Sequence, residues 1–297
     1  MAAIVCALGL AWWPPRSADA IGSWMAAAGV APRYQTADGI KIRYVRRGQG
    51  PPVLLLHGIA ASLYTWKDML PALAVDHDVI ALDLPGFGGS DIPDPLDGAR
   101  EVRAVLAFLD GLGLPRVSLV GNSLGGAIAV ALAGQEPARV ERLVLIDSAG
   151  YNLAQGDRPW ILRAVGSAPL GLTRALPVRP LVALALRQIF HDRRLVTPAR
   201  IDEVAAPLQR PGAAGAIRGI LLSPDALGLP GLVRRVRAPT LILWGRYDQW
   251  VAPGDAQRFA ADIPGARVEM LEAGHMPQEE RPEETAALIE AFLDAPR

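Results

Sequence analysis

Short runs of almost unbroken apolar residues recur along the chain, separated by longer stretches with helical spacing. The runs are Val53–His57, Val79–Asp83, Val117–Gly121, Leu143–Asp147, Leu241–Trp244 and Val268–Leu271. A strand buried on both faces loses the in–out alternation of a half-exposed strand, so these runs read as the core of a parallel sheet. Ile40 to Arg46 does alternate, follows the turn pair Asp38-Gly39, and reads as an early strand. Helices are expected over Leu63–Ala74, Ala99–Leu112, Leu124–Gln135 and Ala256–Ile263, with Glu283–Leu293 closing the chain. The fold class is therefore α/β, a mostly parallel central sheet flanked by helices. Residues 151–237 break the rhythm. They are rich in Leu, Ala and Arg, show no convincing strand, and are cut by prolines such as 177, 180, 198, 207 and 230, so short helices are expected.

Chemistry concentrates where strands end. After Val117–Gly121 the chain reads Asn122-Ser123-Leu124-Gly125-Gly126 and enters a helix. A serine between glycines at such a junction can be held on a sharp turn with its hydroxyl clear of the sheet. Gly121 and Gly125 keep Cβ atoms out of the place where strand and helix meet. The helix N-terminus then points unpaired N–H groups toward any anion that forms beside Ser123.

A nucleophilic serine needs a base, and the histidines are His57, His77, His191 and His275. His77 precedes its strand, on the wrong edge for an open α/β sheet. His191 lies in a helical, Leu/Arg-rich stretch. His275, on the Gly274-His275 loop after Val268–Leu271, is the best candidate, and His57 is its one serious rival. The acid that would orient the imidazole is Asp248, just past Leu241–Trp244, with Asp147 as the weaker alternative. The chain order becomes Ser, Asp, His.

These residues resemble the α/β-hydrolase superfamily from Tyr34 to Leu293. His57-Gly58-Ile59-Ala60-Ala61-Ser62 is similar to its oxyanion loop, and Asp83-Leu84-Pro85-Gly86-Phe87-Gly88-Gly89-Ser90 to its glycine-rich loop. The resemblance implies nucleophile Ser123, acid Asp248 and base His275. It also implies the backbone N–H groups of Ile59 and Leu124 as oxyanion donors, with His57 supporting its loop. It implies a helical cap over the site at 151–237, on a core of 33–150 and 238–297. Asp83, Ser90 and Asp91 then shape the glycine-rich loop. Trp66, Trp160, Trp244 and Trp250 are read as core or cap packing, Met276 as a pocket wall, and Tyr151 and Phe190 as acyl-site candidates.

Composition narrows the field. The 297 residues are 51% hydrophobic, with 30 basic and 30 acidic side chains, which gives no electrostatic case for nucleic acid. Cys6 is the single cysteine, so no intrachain disulfide forms. No zinc-spaced Cys/His cluster or phosphate loop is present, and a hydrolase without cofactor or metal fits. Residues 1–32 are a separate leader. Ala2 to Trp13 is almost wholly apolar, too short to span a bilayer, and Ala18-Asp19-Ala20 resembles a signal-cleavage site. No Lys or Arg precedes the run. Export or membrane association through residues 2–13 and a cytoplasmic location are left equally open.

The expected activity is hydrolysis of neutral, short- to medium-chain carboxylic esters through an acyl-enzyme, with a small-molecule ester as partner. Hydrolysis of C–C bonds in ring-cleavage dienoates is the main alternative, since Gly-Asn-Ser-Leu-Gly-Gly also resembles that subfamily. Haloperoxidase or perhydrolase chemistry and a non-catalytic ligand-binding role are further alternatives. Epoxide hydrolase and dehalogenase chemistry are disfavoured, because those relatives place Asp at the Ser123 position. A dienoate needs a cationic or amide anchor for its carboxylate. The cap arginines considered for it are Arg158, Arg163, Arg174, Arg179, Arg187, Arg193 and Arg194, and one aimed at the Ser123 pocket would weigh against the ester reading.

Overall fold

The computed structural model describes residues 22–151, 159–167, 177–223 and 227–296. The apolar run 2–13 and the small-residue motif at 18–20 lie outside them. Eight strands form one sheet: β1 Arg33–Ala37, β2 Ile40–Arg47, β3 Pro52–Leu56, β4 Asp78–Leu82, β5 Val117–Asn122, β6 Val140–Ile146, β7 Thr240–Gly245 and β8 Arg267–Leu271. Their order is β1-β2-β4-β3-β5-β6-β7-β8. The pairings β1/β2 and β2/β4 are antiparallel and all others are parallel.

The helices in chain order are α1 Trp24–Ala27, α2 Met69–Leu73, α3 Gly98–Gly111, α4 Leu124–Gln135, α5 Trp160–Ser167 and α6 Val178–Ile189. They continue with α7 Pro198–Leu208, α8 Ala213–Leu222, α9 Leu229–Val233, α10 Gly254–Asp262, α11 Pro277–Glu280 and α12 Pro282–Leu293. Strand periodicity sorts the apolar runs onto two faces. Leu54, Leu56, Ile80, Leu82, Leu119, Leu143, Leu145, Ile242 and Trp244 share one core cluster. The intervening Val53, Leu55, Val79, Ala81, Val120, Val144, Ile146, Leu241 and Leu243 share the other. The runs in β3 to β7 are continuous because both of their faces are covered, whereas β8, at the edge of the sheet, is mostly half-buried and carries Glu269.

The structure adds one strand and corrects two local expectations. A strand, β1, precedes Ile40: Asp38 (φ 50°) and Gly39 (φ 72°) form the two-residue turn of a hairpin. It escapes apolar patterning because most of its residues are solvent-exposed. The single helix expected over Leu63–Ala74 is a 3₁₀ turn at Leu63–Trp66 followed by α2. Pro71 has no N–H to give the carbonyl of Lys67, so the helix restarts with the proline in its first turn. His191 lies beyond the end of α6, its ring stacked on Tyr247 at 3.9 Å.

Between β6 and β7 the described residues are helical, α5 to α9, with no strand. Pro198 and Pro230 open α7 and α9, as the proline spacing anticipates, whereas Pro207 sits inside the last turn of α7. Val182, Ala183, Leu186, Phe190, Ile201 and Ala205 of this insertion form a small core of their own, which takes in Met276. Leu229, Leu232 and Val233 of α9 belong instead to the main core. No helix among the described residues is long and apolar enough to cross a membrane.

The carboxyl edge of the sheet is tied together by buried polar groups. Asp83 is fully buried; its Oδ1 accepts from Leu63 N–H (2.8 Å), and its Oδ2 from Gly89 N–H (2.7 Å) and Arg43 Nε–H (2.5 Å). Ser90 Oγ–H donates to Asp83 O (2.6 Å), and Asp91 Oδ2 accepts from Lys41 N–H (3.0 Å). These residues shape the glycine-rich loop, as their sequence context suggests. His57 is equally buried: its Nδ1–H donates to Gly58 O (2.7 Å), and its Nε2 accepts from Leu84 N–H (2.9 Å). It joins the loop after β3 to the loop after β4.

Burial holds the His57 imidazole neutral, lowering its pKa against the raising influence of Asp83 and Gly58. Below a pH of about 6.5 the unfolded chain binds a proton here more readily than the folded protein does, so acid favours unfolding. Thermal melts at pH 7 and pH 5 should show wild type losing stability more steeply than His57→Gln, by up to about 1.4 kcal/mol per pH unit. Equal slopes would refute the neutral assignment.

Candidate active site

Five strand ends place the candidate residues on one edge. Ser123 follows β5 with φ 52° and ψ −115°, a left-handed backbone that a non-glycine residue adopts only where its surroundings impose it. The imposing contact is backbone against backbone. A Cβ on Gly121 would lie 2.4 Å from Gly125 O, and one on Gly125 would lie 2.1 Å from Leu56 O. Ser123 N–H donates to Ile146 O, and Ser123 O accepts from Ala149 N–H, both at 3.0 Å, so the turn is tied to β6.

Ile59 lies on the loop after β3, which stays close to the serine: a Cβ on Gly58 would be 3.2 Å from Ser123 Cβ. Ala60 takes φ 59°, and Ser62 Oγ caps the turn at Leu63 by accepting from Tyr64 N–H. Leu124 is the first residue of α4, so its N–H has no acceptor within the helix.

His275 and Asp248 meet. His275 Nδ1–H donates to Asp248 Oδ2 at 2.7 Å with both side chains buried. Asp248 Oδ1 accepts from Trp250 N–H (2.7 Å) and Val251 N–H (3.1 Å), which fixes the carboxylate. Such a pair leaves Nε2 of His275 as the nitrogen free to take a proton. His275 N–H donates to Ile189 O at the end of α6 (2.8 Å), and His275 O accepts from Asn122 Nδ2–H (3.2 Å). His77 sits at the opposite edge, 3.4 Å from Asp294, and His57 has both ring nitrogens engaged. Asp147, the alternative acid, is fully buried beside Asp248. Oxygen atoms of these two carboxyls and a His275 nitrogen lie within 4.8 Å of one another, the one metal-like grouping among the described residues. A cation there would compete for the contacts that join His275 to Asp248.

Two cavities share Ser123, His275, Ile59 and Trp250. The first is walled by Leu124, Ala127, Leu162, Ile220, Leu221, Leu227 and Val251. The second is walled by Tyr64, Thr65, Leu186, Phe190, Met276, Arg200 and Glu279. Phe190 and Met276 are thus pocket walls, as anticipated. Tyr151 is not; it packs on Phe259 and donates its hydroxyl to Asp262 (2.9 Å). Trp66 and Trp244 are core, and Trp160 is 48% exposed. Trp250 departs from the packing role: its ring lies 5.8 Å from that of His275.

Sequence patterning overlooks the roles of four participants. Among the described residues Arg200 on α7 is the arginine that reaches the cavity; of the seven considered, Arg158 and Arg174 lie outside the described residues, and the others line neither cavity. Its guanidinium lies 3.2 Å from Glu279 Oε2 and donates to Leu195 O (2.7 Å). Glu279 also accepts from Thr65 Oγ–H (2.7 Å); burial raises its pKa, and Arg200 opposes that shift. Glu280 accepts from Gly274 N–H (2.6 Å) and Asp192 N–H (2.8 Å), clasping the His275 loop to the insertion. Asn122 was visible only as a neighbour of the serine.

Residues 51–282 match the family model described as the alpha/beta hydrolase fold. An uncharacterized hydrolase of Bacillus subtilis is 28% identical over 88% of this chain and 97% of its own length. A 2-hydroxymuconate semialdehyde hydrolase of a Pseudomonas species is 30% identical over 86% of this chain and 92% of its own. A meta-cleavage product hydrolase from Pseudomonas fluorescens superposes with a TM-score of 0.77 at 27% identity, covering 88% of this chain and 97% of that one. The sheet order and the family match lead to one conclusion: this chain belongs to the α/β-hydrolase fold family, and it is a hydrolase.

Proposed function

We propose that the protein is a serine hydrolase that cleaves neutral carboxylic esters through an acyl-enzyme. The observation that carries this reading is the buried Asp248–His275 hydrogen bond, in a pocket shared with a strained Ser123. Ser123 Oγ attacks the carbonyl carbon as His275 Nε2 takes its proton. The N–H groups of Ile59 and Leu124 hold the oxyanion, and His275 then passes the proton to the leaving alcohol. Water then attacks the acyl carbon as His275 takes its proton, the bond to Ser123 Oγ breaks with that proton returned to the serine, and the acid is released. The helices between β6 and β7 act as a cap, since Leu162, Leu186, Phe190, Arg200 and Ile220 all line the two cavities.

The first cavity is apolar enough for an acyl chain. The second holds an arginine, which weighs toward an anionic substrate. Its charge is already matched by Glu279, however, and a substrate carboxylate would have to compete with that buried partner. Hydrolysis of C–C bonds in dienoates is the second reading, favoured by Arg200 and by similarity to the meta-cleavage product hydrolase.

Ser123→Ala should abolish labelling by a fluorophosphonate and lower ester turnover by several orders of magnitude, on the order of the loss from removing a triad serine. Retained labelling would reject the nucleophile. In assays of graded acyl esters against ring-fission dienoates, at least one ester should show the higher kcat/KM; a dienoate surpassing all of them would establish the second reading. Glu279→Gln removes the partner of Arg200. Inhibition by carboxylate-bearing ester analogues should strengthen by about tenfold, the worth of one charge-assisted hydrogen bond. Unchanged inhibition would mean that Glu279 does not neutralise Arg200.

A further inference from the structure

Asp147 occupies a place that its charge does not suit. It follows β6 with φ 44°, is fully buried, and donates its N–H to Leu243 O (3.0 Å). One carboxyl oxygen, Oδ1, accepts from Gly245 N–H at 3.0 Å. The other, Oδ2, receives no N–H or O–H donor. An oxygen of the side chain instead lies within 4.8 Å of an oxygen of the Asp248 carboxyl. Asp248 has committed Oδ1 to two backbone N–H groups and Oδ2 to His275.

The charged and titratable groups that face Asp147 are Asp248, His275 and Glu280. Two of the three are acids, and the histidine is already bonded to Asp248. Burial first, and the Asp248 charge second, push the Asp147 carboxyl well above the ordinary carboxylate range; Gly245 N–H pulls the other way. Two carboxylates in contact cannot both ionise cheaply, and a single proton between them turns repulsion into a hydrogen bond.

We propose that Asp147 carries a proton and donates its O–H to the Asp248 carboxylate, as a positioning residue that acts through Asp248 on His275. The inference rests on the reading of Asp248 and His275 as acid and base. The two carboxyls together then hold one negative charge, matched to the one positive charge that His275 gains in turnover. Asp147 also joins the ends of β6 and β7, because its remaining oxygen is held by Gly245. Asparagine reproduces this arrangement: its oxygen can accept from Gly245, its NH₂ can donate to Asp248, it tolerates a left-handed backbone, and it cannot ionise.

The test compares the full-length wild type with Asp147→Asn and Asp147→Ala. The infrared spectrum of wild type minus that of Asp147→Asn at neutral pH should contain the C=O stretch of a protonated carboxyl; Glu101, whose carboxyl pKa burial also raises, is common to both and cancels. In pH profiles of kcat/KM for a hydrolysed ester, Asp147→Ala should lose about tenfold to a hundredfold, mostly in kcat. Asp147→Asn should rescue most of that loss, with its acid limb overlying that of wild type. Absence of the carboxyl band overturns the proposal. So does an acid limb that moves to lower pH in Asp147→Asn, since a histidine that loses a nearby anion protonates less readily. If Asp147→Ala does not fold, the band and the Asn profile decide alone. The band reports the Asp147 proton even if labelling of Ser123→Ala refutes the triad, so the two failures are distinguishable.

Discussion

Backbone meets backbone where β3, β5 and α4 converge, and the geometry of the site hangs on that contact. With no side chain at Gly121 or Gly125, α4 can begin against the carbonyl of Leu56. The chain can make so abrupt a strand-to-helix reversal only by giving Ser123 a left-handed backbone. The same closeness brings the Gly58–Ile59 loop beside the serine and leaves the first N–H groups of α4 facing one volume. The strain is of order 1–3 kcal/mol, small beside the apolar burial on both sheet faces that holds the strands in place.

A second layer of order comes from polar side chains that each span two loops. His57 ties the loop after β3 to that after β4, Asn122 ties β6 to the His275 loop, and Glu280 ties that loop to the insertion. A typical net gain is only about 1 kcal/mol per hydrogen bond, but a buried group deprived of its partner costs more. Displacing one loop strands partners on the next. The edge that carries the candidate site is therefore held by mutual obligation, although it is built from loops.

Strand cores, the serine turn and the loops carrying Asp248 and His275 were legible in the sequence because each depends on local patterning: burial on both faces, glycine at a close approach, a polar residue just past a strand. What escaped depends on partners distant in the chain. β1 is an exposed edge strand whose polar residues carry no burial signal. Arg200 becomes a pocket residue because α7 leans over the site, and Glu279, its partner, lies far along the chain. Asp147 could be placed at a strand end from sequence. That its neighbour would be Asp248 requires the β6–β7 pairing and register.

The bond from His275 N–H to Ile189 O makes α6 a structural support of the proposed base as well as a wall of its pocket. Glu280 doubles the attachment through Asp192. Swinging α6 away would break both attachments and free the His275 loop. The partners α5 and α8, joined by the bond from Arg218 to Gly166 O, make no hydrogen bond to the His275 loop among the described residues. Under the proposed function, the α5–α8 flank is the side on which a covering helix could move without breaking the bonds that hold the base in register.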